Sequence, residues 1–304
     1  MSPGQKPFVR VGRRRHPYRS GVRGPLFRTS RPAGPVRNAD PAELPAEDVR
    51  WYDEAYDRDD ADGHALRARM HAVLDLVGPG PGDVLDAGMG PGRLAAELAV
   101  RGWTVSGLDS ADAMVAAARL RLPDAAERLV VGRIEALPFP NTSFDCVTAT
   151  GVLEYSDVPR ALDEVARVLR PGGRAVVSYP NPYAHYTMWK SRVYYPLVGV
   201  IKRLLRWRGR PLPCGTGTIP LRRLERLLSS AGLELVGMRP ASALVLPPPL
   251  DLFFPRLAAR IARRLERGRR MYLATQLVFV ARKPGVEGQI PSAVEAMPTR
   301  RRAK

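Results

Sequence analysis

Cysteine is almost missing from this chain. Its 304 residues include only two, Cys146 and Cys214. Two cysteines form neither a disulfide framework nor a metal-ligand spacing, so a reducing cytoplasm is the expected compartment. Aromatic residues are few, at 7%. No apolar run approaches the roughly 20 residues that span a bilayer. The first residues lack the apolar stretch of a secretory signal. They are arginine-rich and acid-poor like a transit peptide, but Pro3, Pro7, Pro17, Pro25, Pro32 and Pro35 spoil the amphipathic helix such a peptide forms. A disordered basic tail over residues 1–40 is the expectation. What remains is a globular chain, 45% hydrophobic, able to bury one large core or two modest ones.

Acidic residues are also scarce, 30 against 48 lysines and arginines, for a net charge of +18. The imbalance is uneven. Residues 1–40 carry +9, residues 41–180 carry −9 and residues 181–304 carry +18. An anionic partner would therefore meet the tail or the second half and avoid the acidic middle.

That acidic middle holds the most informative stretch, Val84-Leu85-Asp86-Ala87-Gly88-Met89-Gly90-Pro91-Gly92-Arg93. An apolar run ends in an acid, a glycine-rich turn follows, and residues 94–100 have helical composition. The pattern is a strand, a tight turn and a helix, the opening unit of a nucleotide-binding α/β sheet. The spacing D-x-G-x-G-x-G is not the dinucleotide fingerprint, because Arg93 stands where a third glycine would be needed. Asp86 would repel a pyrophosphate and welcome an ammonium. The implied ligand is a nucleoside with a cationic amino-acid tail. Residues 103–109 read as a second strand ending in Asp109, placed to accept ribose hydroxyls. Ser110 is the expected cap of the helix carrying Met114.

Further on come Leu137-Pro138-Phe139, Ser143-Phe144-Asp145-Cys146-Val147 and, over residues 168–177, an apolar segment interrupted by Pro171-Gly172-Gly173. This set, in this order, resembles the class I S-adenosylmethionine-dependent methyltransferases, nearest the branch of quinone-ring and other small-molecule methylases. The resemblance covers residues 51–283. It implies a Rossmann-like α/β fold: a seven-stranded, mostly parallel sheet with an antiparallel last strand between the fifth and sixth, and helices on both faces. The domain is expected over residues 41–284, with helical insertions at 182–217 and 239–272 capping the substrate side and a second loose tail over 285–304. The expected strands are 233–238 and 274–281 at the end of the sheet, with a helix over 160–170 before the fifth strand.

The resemblance implies S-adenosyl-L-methionine as cofactor. Asp86 and the backbone of Gly88, Gly90 and Gly92 would hold its methionyl end, Asp109 and Ser110 its ribose, and Met114 its adenine. The acid that commonly reads the adenine amino group is replaced by Arg133, which leaves Ile134 or Glu135 for that contact. In the family an N-terminal helix bearing tyrosines lies over the cofactor. Tyr52 and Tyr56, four residues apart, share a face and either cover the ligand or pack their helix on the sheet. On the acceptor side, Glu154 or Tyr155 could take a departing proton. His185 is a candidate base for O-methylation, or a packing residue of its aromatic loop.

Both insertions carry basic amphipathic patterns. Leu197, Val200, Ile201, Leu204 and Leu205 form one apolar face, away from Lys202, Arg203, Arg206 and Arg210. Phe254, Leu257, Ala258, Ile261 and Leu265 form another, opposite Arg256, Arg260, Arg263, Arg264 and Arg267. Such helices suit an anionic membrane surface, or they pack their stripes on the protein and solvate their arginines. The leading function is methyl transfer to an oxygen or carbon of a small-molecule or lipid-like acceptor. One alternative is an RNA or DNA methylase, although Gly151-Val152-Leu153-Glu154 stands where amino-nitrogen methylases carry D/N-P-P-[YFW]. Another is a non-catalytic module that only binds cofactor.

Overall fold

The computed structural model describes residues 46–204, 219–243, 246, 250–266 and 272–285. The tail over 1–40, nearly all of that over 285–304, and Cys214, Leu205, Arg206, Arg210 and Arg267 lie outside these residues, as do the side chains of Lys202 and Arg203.

Helices α1 (Ala46–Ala55) and α2 (Ala61–Val77) precede strand β1 (Asp83–Ala87). Then come α3 (Arg93–Val100), β2 (Thr104–Asp109), α4 (Asp112–Arg121) and β3 (Leu129–Val131). Strand β4 (Phe144–Thr150), helix α5 (Val158–Val168) and strand β5 (Leu169–Pro180) complete the nucleotide-binding part. Beyond it lie α6 (His185–Trp189), α7 (Tyr195–Leu204), α8 (Leu221–Ser230), β6 (Glu234–Ala243), α9 (Leu250–Phe253), α10 (Pro255–Glu266) and β7 (Ala274–Arg282). The sheet order is β3-β2-β1-β4-β5-β7-β6. Strands β1 to β5 pair in parallel, and β7 runs antiparallel to both its neighbours. This is the Rossmann-like sheet expected from the sequence.

Successive strand residues point to opposite faces, and both faces are buried. Val84, Val105, Cys146, Val176 and Val278 join one core with residues of α2, α3 and α4. Leu85, Val147, Ala175, Val177 and Phe279 join the other with α5 and α8. A sheet covered on both sides explains why these strands read as near-continuous apolar runs. Cys146 lies in this packing, and burial pushes its thiol up to about 12, where it stays protonated and inert.

Four sequence expectations shift. The helix expected over 160–170 stops at Val168, and β5 begins at once. Phe144 pairs Leu169 while Cys146 pairs Arg174, so Pro171-Gly172-Gly173 bulges out of the ladder and does not precede the strand. Strand β6 runs on to Ala243 through Pro240, which pairs Leu277. Because β6 is the edge strand, the missing proline N–H costs no ladder bond, and the second insertion begins later than residue 239. Ser110 does not cap α4: Ala111 occupies that position, and its N–H is taken by Asp109 Oδ1 at 3.0 Å.

The fourth shift concerns the insertions. Helix α10 packs on α2 and β6 through Ala258, Ala259 and Ala262, while Phe254 and Leu257 stay exposed. Small alanines let the helix approach closely, so the expected single stripe divides into an inner alanine face and an outer bulky one. On α7, Leu197, Val200, Ile201 and Leu204 all face outward, Leu204 being 76% exposed. That stripe is not packed on the described part of the protein.

Candidate active site

The sheet order reverses between β1 and β4, where helices leave the strands in opposite directions and a crevice opens at their C-terminal ends. There the chain forms a cleft lined by Tyr56, Met70, Asp86, Gly88, Met89, Arg93 and Thr150 among others. Gly88, Gly90 and Gly92 have φ of 75°, 53° and 78°. L-residues disfavour this region, so the turn needs glycines for its path as well as for access. A Cβ at Gly90 would point into open space, the side from which a ligand reaches the backbone.

Asp86 ends β1 beneath this turn and is 1% exposed. Its Oδ1 accepts a 2.8 Å hydrogen bond from Thr148 Oγ1, whereas its Oδ2 is buried without a partner. Burial raises its pKa to about 7 against the hydrogen bond from Thr148, and the nearby Asp109 pushes in the same direction as burial. A carboxyl so placed gains much from a cation delivered into the cleft.

Asp109 ends β2 and ties two segments together. Its Oδ2 accepts from Gly90 N at 2.9 Å and its Oδ1 from Ala111 N, fixing the glycine turn and the start of α4 at once. Burial raises its pKa, opposed by these backbone donors. Met114 and Ile134 are buried nearby in sequence order, on α4 and on the turn after β3. Glu135 is engaged structurally: its Oε1 accepts from Asp157 N at 3.0 Å and Arg133 Nη2 at 3.2 Å. The Leu137-Pro138-Phe139 turn is held from α5, where Glu164 accepts from Leu137 N and Arg167 donates to the carbonyls of Leu137 and Phe139.

The far side of β4 carries the expected acceptor residues. Glu154 lies in a short 3-10 turn over Leu153–Tyr155, 7% exposed, with Oε2 buried and unpartnered. Burial raises its pKa, and Arg69 pulls it back. Tyr155 is half exposed, and its phenol is raised by burial and by Glu154. His185 is elsewhere in role: its exposed ring Nδ1 lies 3.0 Å from Tyr272 O, which ties the start of α6 to the start of β7. It does not line the cleft.

Helix α1 is fastened over the cleft by charge. Arg93 donates to Asp53 and Asp57, and Arg121 makes a two-pronged contact at 2.8 Å to both oxygens of Asp53. Tyr56, one residue beyond the helix, lines the cleft with the Arg93 guanidinium 5.4 Å from its ring centre. Burial would raise the Asp53 pKa, but its bonds to Arg93 and Arg121 outweigh that and hold it low. The sequence showed the tyrosines and missed this clasp, although Arg93 had already been marked as the residue that breaks the dinucleotide pattern. Each screened, part-exposed pair is worth about 1 kcal/mol or less. Asp53→Ala is therefore expected to speed proteolysis within residues 46–60 and to weaken cofactor binding about three- to tenfold. Added salt should reproduce the effect on the parent protein, and an unchanged cleavage rate in both would refute the clasp.

Residues 85–177 match the family model described as a methyltransferase domain. The chain is 42% identical over 114 residues to a demethylmenaquinone methyltransferase of Beutenbergia cavernae, covering 37% of this chain and 47% of that one. It is 40% identical over 135 residues to the nocamycin O-methyltransferase of Saccharothrix syringae, covering 41% and 47%. The chain thus spans about half the length of each of these curated relatives. Among solved structures, the putative methyltransferase bound to the Trm112 activator of Haloferax volcanii aligns with a TM-score of 0.53 and 22% identity, over 79% of this chain and 96% of that one, a likeness of fold. Glycine turn, strand-end carboxylates, sheet order and sequence match agree, and residues 85–177 are similar to the methyltransferase-domain family.

Proposed function

We propose that this protein transfers a methyl group from S-adenosylmethionine to an oxygen or carbon of a small, lipid-like acceptor that it meets at an anionic membrane surface. The observation that carries the reading is the buried, unpartnered Oδ2 of Asp86 beneath a glycine turn. This is a fit for an ammonium on a nucleoside's amino-acid tail and a poor one for a pyrophosphate. When bound, the sulfonium supplies an activated methyl group with a neutral leaving group. The chain then has to fix geometry more than generate charge. Asp86 would hold the ammonium, Asp109 the ribose while keeping the turn in shape, and Met114 and Ile134 the adenine. Tyr56 and α1 would exclude water above it.

Support for the surface reading is the outward apolar stripe of α7 and the exposed Phe253, Phe254 and Leu257 of the second insertion, with exposed Arg192, Arg256, Arg260 and Arg264 on the same two insertions. No described helix is long and apolar enough to cross a membrane. The arrangement suits lying on a charged interface, where each arginine contributes about 1 kcal/mol.

Calorimetric titration tests the cofactor: S-adenosylhomocysteine should bind and NAD should not, and the reverse would end the reading. A methyl-label assay on lipid, nucleic-acid, protein and small polar fractions of a cell extract should place label in lipid. Flotation with phosphatidylserine vesicles should be lost at high salt and in a variant with Arg192, Arg256, Arg260 and Arg264 changed to glutamate. Label in nucleic acid, with structured RNA bound in place of vesicles, would favour a nucleic-acid methylase.

A further inference from the structure

Among the described residues, six buried side-chain atoms have no hydrogen-bond partner, and four of them belong to Arg69, Asp86, Thr150 and Glu154. Buried polar groups are rarely left so, and a cluster of them marks a place where a ligand completes the bonding. Asp86 and Thr150 line the cofactor cleft. The other two lie just beyond it, around the first turn after β4. Gly151 has φ of 74°, and the guanidinium of Arg69, reaching over from α2, covers it: an added Cβ would meet Nη1 at 3.1 Å and both Cζ and Nη2 at 3.5 Å. The next residue, Val152, packs against Gly88 so closely that a Cβ there would collide with it. The turn thus has the cofactor glycines on one side and Arg69 on the other. Glu154 follows, close enough to feel the charge of Arg69, yet no hydrogen bond or ion pair joins them among the described residues.

We propose, resting on the methyl-transfer reading, that Arg69 and Glu154 form the acceptor subsite and that they select an acidic hydroxyl: a phenol, an enol or a carboxylic acid. Arg69 offers one buried donor without a partner, Nε, and Glu154 one buried acceptor without a partner, Oε2, on side chains near enough for the arginine's charge to act on the carboxylate. A hydroxyl satisfies both. Its O–H donates to Glu154, one oxygen lone pair accepts from Arg69, and a second lone pair remains to attack. An amine has a single lone pair, which Arg69 would compete for, so amines are disfavoured. As the new O–CH₃ bond forms, the hydroxyl proton passes to Glu154, the carbon–sulfur bond breaks with its electron pair left on sulfur, and Arg69 stabilises the negative charge gathering on oxygen. Burial, which raises the Glu154 pKa, lets it keep that proton.

An oxyanion could also come from the cofactor's own carboxylate, so the test separates the two. The probe is 2-hydroxy-1,4-naphthoquinone, an acidic enol followed by its absorbance, titrated into the full chain with and without S-adenosylhomocysteine. Arg69→Met should bind the probe at least tenfold more weakly, with S-adenosylhomocysteine affinity within twofold of the parent, and Arg69→Lys should recover part of the loss. Parent binding of this enolate should weaken as pH rises, because Glu154 must hold a proton facing it. Glu154→Gln, whose amide donates at every pH, should flatten that profile, which a purely structural role would not do. Unchanged probe affinity in Arg69→Met overturns the proposal. An equal loss of S-adenosylhomocysteine assigns the arginine to the cofactor and overturns it too. If the parent binds no S-adenosylhomocysteine, the methyl-transfer reading fails, while the probe titration alone still judges the subsite.

Discussion

An Asp86→Asn protein is expected to melt higher than the parent at neutral pH and to bind S-adenosylhomocysteine about a hundredfold more weakly or worse. Both effects come from one buried oxygen. The Asp86 carboxyl holds its proton to about 7 in the folded chain because burial penalises the charge, whereas in the unfolded chain it releases it near the ordinary value of about 3.9. Between those values the folded state binds the extra proton, so stability falls as pH rises and the full penalty, on the order of a few kcal/mol, stands above about pH 7. Asparagine removes that penalty and keeps an oxygen for the Thr148 hydroxyl. It also removes the charge that an incoming ammonium would pair with, and breaking a buried pair from one side costs about 3–5 kcal/mol. Melting curves of the unliganded parent should therefore descend from about pH 4 to about pH 7 while the ligand-induced gain in Tm grows over the same window. A flat parent profile, or full affinity in the variant, would show that Asp86 is not the ammonium site.

Gly88→Ala should be nearly as damaging, by another route. The residue sits at φ of 75°, and its added methyl would run into Val152. The left-handed backbone costs an alanine about 1–2 kcal/mol, and overpacking adds about 1–3 kcal/mol. A Tm lower by several degrees and a loss of cofactor binding of about tenfold or more are expected. Val152→Ala in the same chain should return the steric part and leave the backbone part, giving a positive coupling in the double-mutant cycle. Strict additivity of the two changes would mean that the turn and the loop after β4 are not in contact.

The parts of the site written in local chemistry were legible in the sequence. A turn that demands positive φ declares itself by its glycines, and strands buried on both faces declare themselves by their valines and leucines, so β1, the turn and α3 could be read, whereas the place of the antiparallel last strand came only from the family resemblance. What could not be read depends on residues brought together by the fold. Arg69 is one arginine in a run of Arg67-Ala68-Arg69-Met70, and no local pattern separates the one that lies over Gly151 from the one that caps the carbonyls of Tyr56 and Arg58. Ser110 looked like the cap because serine is favoured there. No side chain caps the helix; Asp109, reaching from the strand end, holds the N–H of Ala111 just before it and anchors Gly90 as well. The strand expected over 233–238 runs on through Pro240, which is tolerated because its strand is the edge one. His185 owed its candidacy to rarity, and its ring tethers two surface segments.

The clasp of Asp53 and Asp57 on Arg93 and Arg121 also bears on timing. A cover held by grease opens only by wetting apolar surface, and it opens slowly. This one is held by ions that water can solvate as they part, so the barrier to lifting α1 is small even when the closed state is well populated. The residence time of spent cofactor, and with it the turnover ceiling, would then follow the ionic strength around the protein. A chain working against a charged surface, in its dense layer of counterions, would exchange its cofactor faster there than in open solution.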